Sequence, residues 1–338
     1  MKRLLTTLAL AATTFGAFAQ NTLHIEGSNE MIGDSVYVIT RATSRNPLGV
    51  AVKDGKFSVD MPLSEVQTVY VMGKPKTPND RGVRFTLLGV PGEKAVYSAE
   101  GTHFYITGSQ FYKEFDTIDR AMEKMEKLED ARDYVVNYAK EHPTSEAPVA
   151  MLASLGYEAA QDIEKALTPE VRNGRMKAYI DNVMAGLQKQ HEEDLAAAKK
   201  QGAGVVAPAF TLKDINGKDL SLASLKGKYV VLDFWGSWCI WCIRGIPKMK
   251  EYYNKYKGKF EILGIDCNDT PEKWKAAVEK HQLPWLHVYN PRDSKVLNDY
   301  GIQGFPTKIL LDPEGKIVKT VVGEDPSFYT LLDETFGK

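Results

Sequence analysis

The sequence of 338 residues predicts an α/β domain at its carboxyl end, preceded by a small β-sandwich-like domain and a helical region. Three observations indicate this order. Short β-forming segments separated by turn residues come first, apolar residues at helical spacing follow, and alternating strands and helices occupy the rest of the chain. We therefore expect domains at 20–110, 111–201 and 202–338, consistent with the roughly 100–200 residues of a typical domain.

The first residues have the pattern of a secretory signal peptide. Lys2 and Arg3 precede a short apolar segment, and Ala17-Phe18-Ala19 supplies small residues at a cleavage site. We expect a signal peptide at 1–19, cleavage after Ala19 and a periplasmic location. The alternative is an uncleaved membrane anchor, but the apolar segment is short for a span and threonines interrupt it. Because no later apolar run reaches the length of a span, we expect no stable membrane insertion after cleavage.

The composition is that of an ordinary globular protein, with 43% hydrophobic and 26% charged residues. The 43 basic and 44 acidic side chains give a net charge of −1, so the chain lacks the basic excess that nucleic-acid binding requires. The three cysteines, Cys239, Cys242 and Cys267, are too few to form a disulfide framework for a chain of this size.

The first region is predicted to form short antiparallel strands. Residues that favour strands cluster at 35–39, 56–59 and 68–71, and Asp54-Gly55 and Pro91-Gly92 are typical turn sequences. We find no combination of residues in this region that is typical of a catalytic site.

The second region is predicted to form three helices. Apolar residues recur at helical spacing from Phe115 to Tyr138, and a second helix is expected at about 146–160. Thr168-Pro169 has the sequence of a helix start, and it predicts a long third helix that ends before Gly202.

The third region begins after a glycine-rich joint at 202–204. Tyr229–Trp235 is nearly continuously apolar, which predicts a buried central strand. A helix at about 239–256 and a strand at 260–266 should follow. The remaining predicted elements are a helix at 272–281, a strand at 286–289, a hairpin of strands 307–311 and 316–322, and a helix at 327–336.

The most informative feature is a Trp-Cys-x-x-Cys sequence directly after the predicted central strand. This spacing places Cys239 at the start of a helix, where free N–H groups and the helix dipole lower the pKa of a thiol. Cys242 lies one turn further on, where it can attack a mixed disulfide formed by Cys239. A structural zinc site would need four ligands, and the sequence offers no second Cys or His pair. A static structural disulfide is the other alternative.

Residues 205–338 resemble the thioredoxin-fold domain of the TlpA/ResA-like exported thiol–disulfide oxidoreductases. Besides the Cys-x-x-Cys motif, the similarity rests on these segments: Ala207-Pro208-Ala209-Phe210-Thr211-Leu212, Gly217-Lys218, Leu222, Gly227-Lys228, Pro247, Gly304-Phe305-Pro306-Thr307 and Asp312-Pro313-x-Gly315. The amino-terminal region is similar to a domain of unknown function found ahead of such thioredoxins, a weaker likeness carried by 105–109.

The resemblance implies roles for individual residues. Cys239 would be the exposed nucleophile and Cys242 the resolving thiol, while Asp233 would accept the proton of Cys242. Burial should raise the pKa of Asp233 towards the working range of a general base; the alternative is a structural, hydrogen-bonded acid.

The resemblance also implies a surface for client binding. Phe305-Pro306 would be the cis-proline loop that exposes backbone to a substrate strand. Trp238 would shape the docking surface beside the active site, although plain core packing is an equal alternative. Trp241 is also predicted to contact the client.

Two positions depart from the family pattern. Trp241 stands where most relatives have proline, and Gly245 stands where some relatives have a glutamate that tunes the thiols. The second departure suggests that Asp233 acts without that acid. Cys267 should lie at the same edge of the sheet as the motif, either as a third redox thiol or as a partly buried cysteine without a role.

These observations predict an exported thiol–disulfide oxidoreductase that exchanges disulfides with client proteins, without a metal or other cofactor. The family resemblance implies the reducing direction. A membrane thiol donor would regenerate the oxidoreductase. One alternative is a thiol peroxidase of the AhpC/TSA type, but residues 232–239 lack the Pro-x-x-x-Thr-x-x-Cys sequence of that site. Another is a partner-binding module in which residues 20–200 bind and the redox domain assists.

Overall fold

A computed structural model describes residues 21–28, 32–77, 82–100 and 103–337. The predicted signal peptide at 1–19 and its cleavage site at Ala19 lie outside the described residues. The chain divides into two compact units, one that ends at Gln190 and one that comprises His191–Lys338. Within the described residues, every helix is too short or too polar to cross a membrane.

The first unit begins with strands that form two four-stranded sheets. The strands described are β1 (Thr22–Ser28), β2 (Ile32–Ile39), β3 (Leu48–Ala51), β4 (Lys56–Pro62), β5 (Gln67–Pro75), β6 (Arg84–Gly89), β7 (Lys94–Glu100) and β8 (His103–Gly108). The sheet orders are β4-β1-β7-β8 and β3-β2-β5-β6. Alternate residues of both sheets, such as Leu23 of β1 and Val36 of β2, are buried in one apolar core. This arrangement confirms the predicted sandwich.

One strand pair differs from the antiparallel expectation. β1 and β7 run parallel, whereas β1 and β4 run antiparallel. A parallel pair needs a long crossover connection, and the many residues between β1 and β7 provide one. Local sequence patterns cannot reveal such a pairing because it depends on the path of the whole chain.

The helical region contains more breaks than its periodicity predicts. Its helices are α1 (Gln110–Glu123), α2 (Leu128–Glu141), α3 (Leu152–Leu155), α4 (Tyr157–Ala166), α5 (Pro169–Asn173) and α6 (Lys177–Gln201), with a 3₁₀ turn at Ala147–Met151. The prediction of a single helix from Phe115 to Tyr138 is wrong, because the helix is interrupted between α1 and α2. Ile118 of α1 and Val135 of α2 can then both reach the same core.

Glycines produce the other two breaks. Gly156, at φ +85°, separates α3 from α4, so the continuous helix predicted at 146–160 is wrong. Glycine tolerates this positive φ without the steric cost that other residues meet. Gly174 has an extended backbone and ends α5, so the predicted third helix is also divided in two.

The second unit contains a seven-stranded sheet of order β10-β9-β13-β12-β11-β14-β15. Its strands are β9 (Thr211–Asp214), β10 (Asp219–Ser221), β11 (Tyr229–Trp235), β12 (Phe260–Cys267), β13 (Leu286–Asn290), β14 (Thr307–Leu311) and β15 (Ile317–Val322). Its further helices are α7 (Ile240–Lys255), α8 (Pro271–Lys280), α9 (Val296–Asp299) and α10 (Ser327–Phe336), with a 3₁₀ turn at Leu222–Leu225. β11 is parallel to β12 and antiparallel to β14.

The two faces of this sheet carry separate apolar cores. Val231 and Trp235 of β11 pack on one face with Met249 of α7, and we call this side the α7 face. Leu232 and Phe234 pack on the other side, which we call the far face. β11 is central and largely buried, as its apolar sequence predicts. This is the α/β thioredoxin fold expected from the sequence.

Candidate active site

The Cys-x-x-Cys motif lies where β11 ends and α7 begins. Cys239 is the N-cap residue of α7, and a disulfide joins it to Cys242. The backbone N–H of Cys242 donates a hydrogen bond to Cys239 Sγ at 3.2 Å. The free N–H groups of a helix start favour negative charge, so this geometry stabilises a Cys239 thiolate once the disulfide is reduced.

Both cysteines are buried in the disulfide form. Cys239 is 5% exposed and Cys242 is 6% exposed, and both belong to the apolar cluster that includes Trp235. The expectation of an exposed Cys239 is therefore wrong for the disulfide form. The exposed surface belongs instead to the neighbouring side chains Trp238, Ile240 and Trp241.

A buried aspartate holds the loop before Cys239. Asp269 accepts hydrogen bonds from the Ser237 backbone N–H at 2.6 Å and from the Ser237 hydroxyl at 2.7 Å. Tyr289 donates to the Asp269 carbonyl at 3.1 Å. Sequence reasoning missed Asp269; its place just after β12, beside the carboxyl end of the catalytic strand, is the signal that could have found it.

Trp238 is anchored at one end and exposed over the rest of its surface. Its indole N–H donates to the Cys267 carbonyl at 2.9 Å, and its ring meets Phe305 edge-on with centroids 5.4 Å apart. The side chain remains 53% exposed. A Cβ atom on residue 236 would overlap the indole nitrogen, so this close approach requires Gly236.

The remaining predicted binding residues lie on two segments. The Phe305-Pro306 peptide bond is cis, as the resemblance implies, and the Pro306 carbonyl accepts a hydrogen bond from the Gly323 N–H at 2.7 Å. Trp241, in the first turn of α7, is 57% exposed, and the Arg244 guanidinium lies 4.9 Å from its ring centre. The structure thus brings Trp238 and Phe305 into contact and leaves Trp241 exposed to solvent on the surface of α7.

Asp233 lies in the middle of β11, on the α7 face by its alternation with Val231 and Trp235. It is partly accessible as a residue, but its Oδ1 is buried and has no hydrogen-bond partner among the described residues. Burial raises the pKa of Asp233 to about 6, with Lys308 opposing the rise and Glu324 adding to it. A carboxyl group with this pKa can exchange a proton near neutral pH.

An ion pair lies beside Asp233 and was not predicted from the sequence. Lys308 of β14 is directly opposite Asp233 in the strand register. The Lys308 ammonium contacts Glu324 Oε2 at 2.7 Å, and the Tyr329 hydroxyl donates to Glu324 Oε1 at 2.7 Å. A lysine inside the apolar strand Thr307–Leu311 is the signal that could have drawn attention to this pair.

Cys267 has a different environment from the motif cysteines. It is a free thiol, fully buried, and belongs to the apolar core of the far face. Its thiol donates to the Ile265 carbonyl at 3.3 Å, and burial raises its pKa above the ordinary range. Of the two sequence-based alternatives, this environment favours a cysteine without a redox role.

The thioredoxin fold and a dithiol at a helix start define a thiol–disulfide oxidoreductase. The sequence model of the AhpC/TSA family matches residues 203–320. The chain is 38% identical over 130 residues to the thiol-disulfide oxidoreductase ResA of Bacillus anthracis, which is 38% of this chain and 75% of that protein. It is also 38% identical over 124 residues to ResA of Bacillus subtilis (strain 168), covering 36% of this chain and 67% of that protein. The chain belongs to the ResA family of thiol–disulfide oxidoreductases.

A solved structure is also similar to the carboxyl-terminal domain. The thioredoxin domain of a thiol-disulfide oxidoreductase from Bacteroides vulgatus shares 38% identity, with 40% of this chain and 98% of that chain covered and a TM-score of 0.38. The ResA relatives confirm the family resemblance expected from the sequence for this domain.

Proposed function

We propose that the protein reduces disulfides of client proteins, with Cys239 as nucleophile and Cys242 as resolving thiol. The Cys239 thiolate attacks a client disulfide, forms a mixed disulfide and releases one client thiolate. Cys242 then attacks Cys239 Sγ, which forms the Cys239–Cys242 disulfide and releases the second client thiolate. The dithiol loses two electrons and the client disulfide gains two. The observation that carries this proposal is the Cys242 N–H directed at Cys239 Sγ at the start of α7.

Asp233 is the proposed acceptor of the Cys242 proton. A thiol must lose its proton before it can attack, and a nearby carboxylate with a pKa close to neutrality can take it. Two observations support this role: the pKa of Asp233 is raised by burial to about 6, and its Oδ1 is unpaired among the described residues. Replacement by Asn would slow the resolving step without preventing the first attack.

The proposed docking surface consists of Trp238, Trp241, Phe305 and Pro306. Its exposed aromatic rings would cover apolar side chains of a client, and the backbone of Phe305, directly before the cis proline, would pair with an extended client segment. The half-exposed, anchored Trp238 supports this function, because a tryptophan used only for packing would be buried. Trp238→Ala should raise the KM for a client more than it lowers kcat.

We also propose where the protein works and how its dithiol is kept reduced. Export to the periplasm through the signal at 1–19, and reduction by a membrane thiol donor, would keep the dithiol reduced in an oxidising compartment. We also propose the domain limits 20–110, 111–201 and 202–338, with residues 20–200 binding a partner. A pull-down with the secreted full chain and its Cys242→Ser variant would capture clients as mixed disulfides. A protein that stays in the cytoplasm would contradict the proposed export. A protein that is fully oxidised in growing cells would contradict the proposed reduction by a membrane thiol donor.

Peroxidase activity is the second candidate, favoured by the AhpC/TSA family match at 203–320. The segment 232–239 lacks the proline and threonine of the peroxidatic cysteine site. Insulin reduction in the presence of dithiothreitol, measured beside hydrogen peroxide consumption, separates the two activities. Rapid peroxide turnover with negligible insulin reduction would make peroxidase activity the better-supported function.

A further inference from the structure

We propose that the Lys308–Glu324 ion pair is a positioning element that holds the lysine charge away from Asp233, so that the Asp233 carboxylate stays basic enough to take the Cys242 proton. This inference rests on the role proposed above for Asp233. It assigns a function to Glu324, which comes from the loop before α10, and to the unusual lysine inside β14.

Strand register brings Lys308 and Asp233 together. They are directly opposite each other on antiparallel neighbours, and Lys308 shares the α7 face with Leu310. A lysine at this position has Asp233 as its nearest cross-strand carboxyl group. Its ammonium instead contacts Glu324 Oε2 at 2.7 Å, with the Lys308 side chain only 4% exposed. A buried ammonium of this kind needs a paired charge.

Glu324 is held from several sides. The Tyr329 hydroxyl occupies its second oxygen, Oε1, at 2.7 Å. The preceding residue, Gly323, has φ +85°, and its N–H donates to the Pro306 carbonyl at 2.7 Å. The loop that carries Glu324 is therefore tied to the cis-proline loop, and the carboxylate has a defined place beside Lys308.

Gly245 makes room for this carboxylate. A Cβ atom on residue 245 would overlap the Glu324 carboxyl group. Gly245 lies in α7 one turn after Cys242, so Glu324 sits against the same helical turns that carry the resolving thiol. The absence of an acid at position 245 is thus matched by an acid that arrives from a distant part of the chain.

Lys308 and Glu324 are the charged groups that act on Asp233 in the described structure. Cys267 of β12 and Tyr329 of α10 also interact electrostatically with Asp233, but burial raises the pKa of both, so they are uncharged near neutral pH. Asp266 of β12 and His287 of β13 are uncharged near neutral pH as well, and Cys242 is held in the disulfide. Burial and the neighbouring Asp269 carboxyl raise the pKa of Asp266 to about 9. Burial lowers the pKa of His287 to about 4.

This arrangement determines whether each substitution raises or lowers the pKa of Asp233. Glu324→Gln leaves the ammonium of Lys308 without its carboxylate, so the ammonium pairs with Asp233 and lowers its pKa. Lys308→Met removes the positive charge and raises the pKa of Asp233. Gly245→Ala displaces Glu324 by steric overlap and should act in the same direction as Glu324→Gln, although it leaves every charge in place.

The direct test is carboxyl NMR of the oxidised full chain with ¹³C-labelled aspartate, assigned with Asp233→Asn. Glu324→Gln should lower the pKa of Asp233 by about one unit, and Lys308→Met should raise it. The matched control is Glu251→Gln, which removes the partner of Lys248 in an exposed pair of α7 at 3.0 Å. The control should leave the pKa of Asp233 unchanged. An unchanged or raised pKa in Glu324→Gln overturns the inference.

A kinetic measurement separates this inference from the proposed function. Reduced protein mixed with dithiobis(nitrobenzoate) releases one coloured thiolate when Cys239 attacks and a second when Cys242 resolves the adduct. In Glu324→Gln and Gly245→Ala, the pH profile of the second phase should move to lower pH while the first phase stays the same. If Cys242→Ser keeps the second phase, the proposed roles of the thiols fail. If only the shift is missing, the role of Glu324 fails while the exchange mechanism stands.

Discussion

The two faces of the carboxyl-terminal sheet place cysteines in two different environments. On the α7 face, Cys239 caps a helix and receives a backbone N–H, with Asp233 and the Lys308–Glu324 pair nearby. On the far face, Cys267 lies at the end of the neighbouring parallel strand, but it is surrounded by apolar side chains and its pKa is raised. We therefore expect that position at the edge of the sheet is not sufficient for reactivity, and that the helix start and the buried charges make the difference.

We expect the largest effect from replacing the cysteines. Loss of the cysteine on the α7 face should abolish turnover, whereas loss of the cysteine on the far face should preserve it. Cys239→Ser should reduce insulin reduction to the background of dithiothreitol alone, because the attacking thiolate is gone. Cys267→Ser should leave turnover nearly unchanged, since its thiol is buried and its raised pKa keeps it protonated. Abolished turnover in a folded Cys267→Ser protein would remove the distinction between the faces.

Asp233→Asn tests the buried carboxyl group of the α7 face through its effect on the free energy of unfolding. Burial raises the pKa of Asp233 to about 6 from an ordinary value of 3.8, so the folded state binds the proton more tightly than the unfolded state. Stability contributed by this proton is present at low pH and is lost as pH rises through about 6. The free energy of unfolding of the variant should therefore exceed that of the wild type by about 2–3 kcal/mol at about pH 8. At about pH 3.5 the two free energies of unfolding should be equal.

Chemical unfolding of the oxidised protein at the two pH values measures this difference. Asp219→Asn is the matched control, because Asp219 is an exposed partner of Lys213. It should change the unfolding free energy by less than about 0.5 kcal/mol. A destabilised Asp233→Asn protein at high pH would mean that Asp233 is a structural acid.

A smaller effect is expected at Trp241, the second of the two exposed residues between the cysteines. Proline there removes an N–H at the helix start, which weakens stabilisation of the Cys239 thiolate. Trp241→Pro should make the Cys239–Cys242 couple more reducing by about 30 mV, which corresponds to about 1.4 kcal/mol for two electrons. Equilibration against glutathione buffers with thiol trapping gives the sign. A potential that is unchanged or more oxidising would leave Trp241 as a client contact alone.

The sequence predicts the local parts of this site and misses the distant ones. β11 has the predicted bounds Tyr229–Trp235, and α7 starts one residue after the predicted position because Cys239 serves as its cap. Hydrophobic periodicity and the Cys-x-x-Cys spacing are both local signals.

Asp269, Lys308 and Glu324 reach the site from other parts of the chain, where no local pattern distinguishes them from surface charges. The same limit explains the breaks at Gly156 and Gly174, which depend on how the helical region packs. Periodicity identifies which residues are buried, and it cannot tell where a helix turns back.

The central claim is that the helix start makes Cys239 the reactive thiol, and alkylation of the fully reduced protein tests it most directly. Iodoacetamide is applied across a range of pH, and the modified peptides are quantified by mass. Cys239 should react first at neutral pH, with an apparent pKa below the ordinary value of about 8.5, followed by Cys242, while Cys267 reacts only on unfolding. Faster modification of Cys242 or Cys267 than of Cys239 in the folded protein would contradict the account.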